Sequence, residues 1–344
     1  MTIATIGLDL AKNVFQVHAI DGEGNVLLRK TLRRAQVLPF FEKTPSCLVG
    51  IEACGTSHHW GRELTRLGHE VRLMPPAYVK PYVKRGKTDA ADAEAICEAV
   101  SRPTMRFVPI KSKEQQALLS MHRARDLFVK QRTQLINMMR GMLAEFGITI
   151  PEGIGRALIK ARQIVEGEAL DTPAEASQMA AVLGEQALNI HLRLREIDRA
   201  LAACQRENAA ALRVATVPGV GPITATAIVA SVPTPELFAS GRQFAAWLGL
   251  TPLQKSSGGK ERLGRISKMG DKYIRRLLIT GATSMVRRAK ERPETVDPRL
   301  VDLLARKPTR VATVAMANKM ARMIWAIMLR GETYRPHHTP ALEG

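Results

Sequence analysis

Two acids set in apolar, strand-like runs constrain this chain more than any other feature. Asp9 lies in Ile6-Gly7-Leu8-Asp9-Leu10-Ala11-Lys12, and Glu52 ends the run Cys47-Leu48-Val49-Gly50-Ile51. A charge in such surroundings is costly unless something pairs with it. A further acid pair follows in Lys87-Thr88-Asp89-Ala90-Ala91-Asp92-Ala93-Glu94, where Asp89 and Asp92, three apart, share a helix face. Strand acid, strand acid, helix acid pair is an order that lets four carboxylates converge on one point.

Converging carboxylates repel one another unless a divalent cation neutralises them. Two hard, oxygen-loving metals about 3.5–4 Å apart are how nucleases clamp both oxygens of a phosphoryl transfer. Together the four acids point to metal-dependent chemistry on a nucleic-acid backbone. Taken singly, each has a plainer reading. Asp9 reads as a turn acid, Glu52 as a strand-end acid capping the helix that starts near Ser57, and the DxxD pair as a solvated helix face.

The pattern of elements divides the chain into three parts. Residues 1–113 alternate strand and helix signals: strands over Thr2–Leu8, Val14–Ile20, Asn25–Leu32, Cys47–Ile51 and Glu70–Met74, a helix over Ser57–Leu67, and a helix capped by Thr88. Three meandering strands followed by alternating helix and strand is the ribonuclease-H-like (RuvC-like) α/β order. Residues 114–206 are helical. Two apolar stripes, Leu118 to Phe146 and Leu183 to Cys204, recur at spacings of three and four, as in the seams of a helical hairpin or coiled coil, broken between them by Gly147, Pro151, Gly153 and Gly155. An internal helical subdomain is the alternative to pairing between subunits. Residues 207–344 are mostly α and open with helix, Pro218-Gly219-Val220-Gly221, helix, the helix-hairpin-helix pattern. There Gly219 and Gly221 let backbone amides approach a phosphate, unless the turn is only a tight connector.

Composition names the partner. The formal net charge is +19, and between Lys255 and Arg292 there are 12 basic residues against 3 acidic, an excess close to half the total. Such a surface attracts phosphate backbones with salt-dependent affinity, so Lys255, Lys260, Arg262, Arg265, Lys268, Lys272, Arg275 and Arg276 are expected at a nucleic-acid interface. Aromatic residues make up only 4%, which disfavours a stacking platform for single strands. The four cysteines lack CxxC spacing, against zinc or a disulfide framework. Neither a signal peptide nor a membrane-length apolar run is expected, and a cytoplasmic protein, nucleoid-associated when bound to DNA, is the default.

With these pieces in order, the chain resembles transposases of the insertion sequence 110 family, 1111 branch, recombinases with a RuvC-like DEDD domain. The resemblance spans essentially the whole length. It is carried by Gly7-Leu8-Asp9-Leu10-Ala11-Lys12, Gly50-Ile51-Glu52-Ala53-Cys54-Gly55-Thr56, Lys87-Thr88-Asp89-Ala90-Ala91-Asp92-Ala93, Phe244-Ala245-Ala246-Trp247-Leu248-Gly249-Leu250-Thr251-Pro252, and Ser256-Ser257-Gly258-Gly259 with Gly264-Arg265-Ile266-Ser267-Lys268-Met269-Gly270. It implies that Asp9, Glu52, Asp89 and Asp92 hold Mg²⁺, two ions per site, and that Ser257 is a catalytic serine, with Ser256 its non-catalytic neighbour. On the residues alone, Ser-Ser-Gly-Gly reads as a linker. The resemblance further implies donor and target DNA as partners, an element-encoded structured guide RNA, and a homo-oligomer, dimer or tetramer. A RuvC-like junction nuclease activating water, and a non-catalytic nucleic-acid-binding protein, are the competing functions. His58 and His59 either approach the acids or simply start a helix.

Overall fold

The computed structural model describes residues 2–83, 88–255 and 262–335. The chain forms two compact units, residues 1–114 and 115–344. In the first, alternation of apolar and polar residues builds strands β1 (Thr5–Leu10), β2 (Val14–Ile20) and β3 (Val26–Arg33). Helix α1 (Val37–Glu42), strand β4 (Leu48–Glu52), helix α2 (Ser57–Arg66), strand β5 (Glu70–Met74), helix α3 (Pro76–Val79) and helix α4 (Asp89–Val100) follow. The sheet order is β3-β2-β1-β4-β5. β1, β2 and β3 form an antiparallel meander, whereas β4 runs parallel to β1 and β5 parallel to β4. The first strand extends two residues beyond the expected end, so Asp9 lies within β1, paired in register with Gln16, and is not a turn residue.

Strand periodicity assigns the two faces of the sheet different tasks. Ile6, Leu8, Phe15, Val49 and Ile51 are fully buried with Trp60 and Leu64 of α2. Each such side chain contributes about 1.5–3 kcal/mol, enough to hold a less favourable arrangement on the opposite face. That face carries Gly7 and Gly50, which are register partners on β1 and β4. A Cβ on Gly7 would run into the Ala93 carbonyl and stand 2.5 Å from the Cys97 nitrogen, and one on Gly50 would stand 2.7 Å from the Val100 Cβ. The glycine pair therefore lets α4 lie directly on the two central strands.

The second unit begins within the 32-residue helix α5 (Lys113–Ala144), followed by α6 (Ile154–Val165) and the 34-residue α7 (Ala174–Glu207). Met139 and Ala187, from the two apolar stripes, are buried in one cluster with Ile136, Leu143 and α6 residues Ala157 and Ala161. Leu127, Met138 and Leu192 stay exposed. Polar links join α5 to α7 through Arg125–Asp198 at 2.5 Å and Arg132–His191 at 3.0 Å. Next come α8 (Ala209–Ala215), α9 (Pro222–Ser231), α10 (Gly241–Trp247), the ribbon strands β6 (Pro252–Gln254) and β7 (Leu263–Ile266), α11 (Lys272–Glu291), α12 (Pro298–Arg306) and α13 (Thr309–Arg330). The largest core of this unit is apolar side chains of α8 to α13, among them Phe244, Leu278, Met320 and Ile324. No described helix is long and apolar enough to cross a membrane.

Candidate active site and nucleic-acid interface

Gly7 and Asp9 are two apart on β1, and Gly50 and Glu52 two apart on β4, so each acid shares its face with the glycine beneath α4. The same helix carries Asp89 and Asp92 in its first turn, behind a Thr88 cap that accepts from the Ala91 amide. The helix dipole favours negative charge there, so the fold partly offsets the repulsion it creates. The four acids do sense one another. Asp9 is pushed up to about 6, first by burial and then by Asp92, Asp89 and Glu52; burial and Asp92 also raise Glu52. The N-cap of α2 is Thr56, four residues beyond Glu52, and its side chain makes no capping hydrogen bond. Among the described residues, no three acidic, histidine or cysteine side chains stand close enough to hold a metal ion as they are. By donor chemistry, four hard carboxylates, one of them raised by burial and then by its neighbours' charge, suit a divalent cation of the magnesium class.

The neighbouring histidines do not join this group. His58 sits in the first turn of α2, where its ring accepts from the Lys111 amide at 3.2 Å, and exposed His59 lies against Trp60. Cys47 and Cys97 are buried, their thiols pushed up to about 11 by burial, as expected of core residues.

In the second unit, the expected interface residues separate into three groups. Lys255, Arg262, Arg265, Lys268, Lys272 and Arg276 are exposed. Lys260, Ser256 and Ser257 lie outside the described residues. Arg275 departs from expectation: it is buried, and its guanidinium donates to the carbonyls of Leu248 at 2.9 Å and Met269 at 2.7 Å. It braces the base of the ribbon instead of facing solvent. The same base is interlocked by Gly249 (φ 68°), where a Cβ would stand 2.5 Å from the Met269 nitrogen, and by Gly270 (φ 72°), whose Cβ would collide with the Trp247 carbonyl. Above it, the Lys255 amide donates to the Arg262 carbonyl at 2.8 Å, closing the two strands that flank residues 256–261.

The turn between α8 and α9 also shows a packing demand. Gly219 has φ 82°, and a Cβ there would stand 3.0 Å from both the Gly281 carbonyl of α11 and the Met285 sulfur. The absence of a side chain at Gly219 thus serves close approach to α11. Gly221 is exposed, with open space at its α-carbon.

Sequence reasoning missed three things here. The glycine two residues before each strand acid was visible, and Gly-x-Asp with Gly-x-Glu was the available signal. Buried Arg275 had none. Nor did the buried His122, whose ring meets the Tyr273 hydroxyl at 3.0 Å and the Thr226 hydroxyl at 3.1 Å. The Thr226 hydroxyl donates to the Pro222 carbonyl, so His122 Nε2 donates to Thr226 and Nδ1 accepts from Tyr273. Burial, then Arg125, pushes His122 down to about 4, which keeps this neutral pairing.

A family model of the DEDD transposases, described as a transposase, matches residues 6–148, which include the mixed sheet and its strand and helix acids. A second, described as the transposase IS116/IS110/IS902 family, matches residues 211–296. The chain belongs to the IS116/IS110/IS902 family of transposases. It is 49% identical over 338 residues to a probable family 20 transposase of Pseudomonas aeruginosa, covering 98% of this chain and 100% of the relative. It is 39% identical over 333 residues to the transposase for insertion sequence element IS1111A of Coxiella burnetii, covering 97% and 92%. The transposase for insertion sequence element IS1328 of Yersinia enterocolitica is 38% identical over 332 residues, covering 96% and 98%.

Proposed function

We propose that this chain is the transposase of an insertion element, cutting and rejoining DNA strands through a phosphoserine formed on Ser257, with Mg²⁺ held by Asp9, Glu52, Asp89 and Asp92. The observation that carries the reading is the raised Asp9, pushed up to about 6 first by its burial and then by the carboxylates of Asp92, Asp89 and Glu52. The sheet order β3-β2-β1-β4-β5 with α4 across its centre supports a ribonuclease-H-like first domain, residues 1–113. The α8–turn–α9 segment supports a helix-hairpin-helix in residues 207–344, and the exposed apolar positions of α5 and α7 support pairing of subunits through residues 114–206. A guide RNA would supply sequence choice, in keeping with a chain whose basic surface suits backbone contacts. The site of action would be cytoplasmic DNA.

In this mechanism the chain positions groups more than it reacts. Gly7 and Gly50 admit α4, and α4 sets Asp89 and Asp92 beside the strand acids. Asp9, Glu52, Asp89 and Asp92 would hold divalent cations, which would supply positive charge to a transferring phosphoryl group. Arg275, Gly249 and Gly270 fix the root of the ribbon that leads to the serine segment. The Ser257 oxygen attacks the scissile phosphorus as the strand's leaving oxygen departs and takes up a proton. The new phosphoester keeps the bond energy for rejoining.

Labelled donor DNA, RNA and Mg²⁺, incubated with the protein and then denatured, should leave label on protein, and peptide mapping should place it on Ser257. Ser257→Ala should bind but form neither adduct nor product, while Ser256→Ala keeps most activity. An active Ser257→Ala protein that cuts without an adduct would instead establish a water-activating nuclease.

A further inference from the structure

Helix α11 presents one exposed row running from Arg276 through Thr280, Thr283 and Ser284 to Arg287 and Arg288. Spacings of four, three and four residues keep Arg276, Thr280, Thr283 and Arg287 on one face. At about 1.5 Å per residue, the end cations stand roughly 16 Å apart along the axis. An ordinary solvated helix face mixes charges of both signs. Here the sole acid of the helix is Glu291, which accepts from Arg287 at 2.9 Å. Beside Arg287 the surface opens into a cleft of about 420 Å³ lined by Ser284, Arg287, Arg288, Glu291 and Arg292. At the other end, Arg276 stands in the half of the helix where the dipole disfavours a cation. It is braced there by Asp126 and by the Tyr273 ring, 5.3 Å from its guanidinium carbon.

We infer that this row is a track for a phosphodiester backbone, separate from the ribbon leading to Ser257. Guanidinium forks match phosphate oxygens in pairs. The hydroxyls of Thr280 and Thr283 donate to the Arg276 and Ile279 carbonyls, so the arginines supply the attraction and the middle of the row adds neither negative charge nor bulk. The inference deepens the transposase reading and rests on it, because it assigns a nucleic-acid strand to a particular helix.

The test is a titration of full-length protein carrying R287Q and R288Q against labelled duplex DNA and duplex RNA of equal length, across a salt series. R193Q with R195Q, on exposed positions of α7, removes the same charge elsewhere. The α11 pair should lower the slope of log affinity against log salt by about two and weaken binding about tenfold at 0.15 M salt, and the α7 pair should leave the slope unchanged. Loss on DNA alone, RNA alone or both supports the track and names which polymer lies on it. Equal behaviour of the two variant pairs on both polymers overturns it. A wild-type chain with no salt-dependent binding to either polymer would overturn the transposase reading itself, a separate result.

Discussion

Asp9 titrates between 3.8, its ordinary value, and about 6 in the folded chain. Across that window the folded protein keeps a proton that the unfolded chain has released, so the contribution of Asp9 to stability falls as pH rises through it and is flat above. In chelator, calorimetry from pH 4 to 7.5 should show this loss in the wild type and not in Asp9→Asn. At pH 7 without divalent cation the variant should melt higher. Millimolar Mg²⁺ should raise the wild type and leave the variant nearly unmoved. Identical pH profiles for the two proteins would remove the acids from contact with one another. Side chains of this kind were legible in the sequence because an acid in an apolar strand is already anomalous. Arg275 was not, since a cation in a basic tract carries no mark that it is buried, and buried arginines are uncommon.

Elements differ in how much of themselves the sequence shows. β2 and β5 have their expected bounds, because alternation over five to seven residues between turn signals is unambiguous. α1 is six residues around Pro39, too short to show a helical period, and β6 and β7 have only three and four residues, too few for alternation to mark a strand. The docking of α4 depends on a pairing between strands that no single segment displays. Gly7→Ala or Gly50→Ala should destabilise the first unit by about 1–3 kcal/mol, the usual cost of overpacking. Strand exchange should fall by more than the lost folded fraction explains, because Asp89 and Asp92 move with the helix. Gly155→Ala in α6, with nothing near its Cβ, should be neutral or stabilising by up to about 1 kcal/mol. Urea titration beside a strand-exchange assay separates these outcomes, and wild-type activity in Gly7→Ala would mean the helix position is not what sets the site.

Across the whole molecule, the four candidate acids lie in residues 1–114, whereas residues 115–344 carry +14 of the formal +19, 34 basic residues against 20 acidic. Chains with separate compact units often unfold in more than one step. Calorimetry with and without Mg²⁺ should therefore shift one transition, that of the first unit, while duplex DNA raises the second; a single transition moved by both would make the chain one cooperative body. The glycine pair has a last consequence, in time instead of space. Gly7 receives Ala93 and Cys97, residues made roughly ninety positions later, and contacts so distant in sequence are slow to form. A chain interrupted in synthesis before α4 holds Asp9 and Glu52 but lacks Asp89 and Asp92 altogether. Under the proposed mechanism, products truncated before α4 would be born without half of the acids that hold the metal.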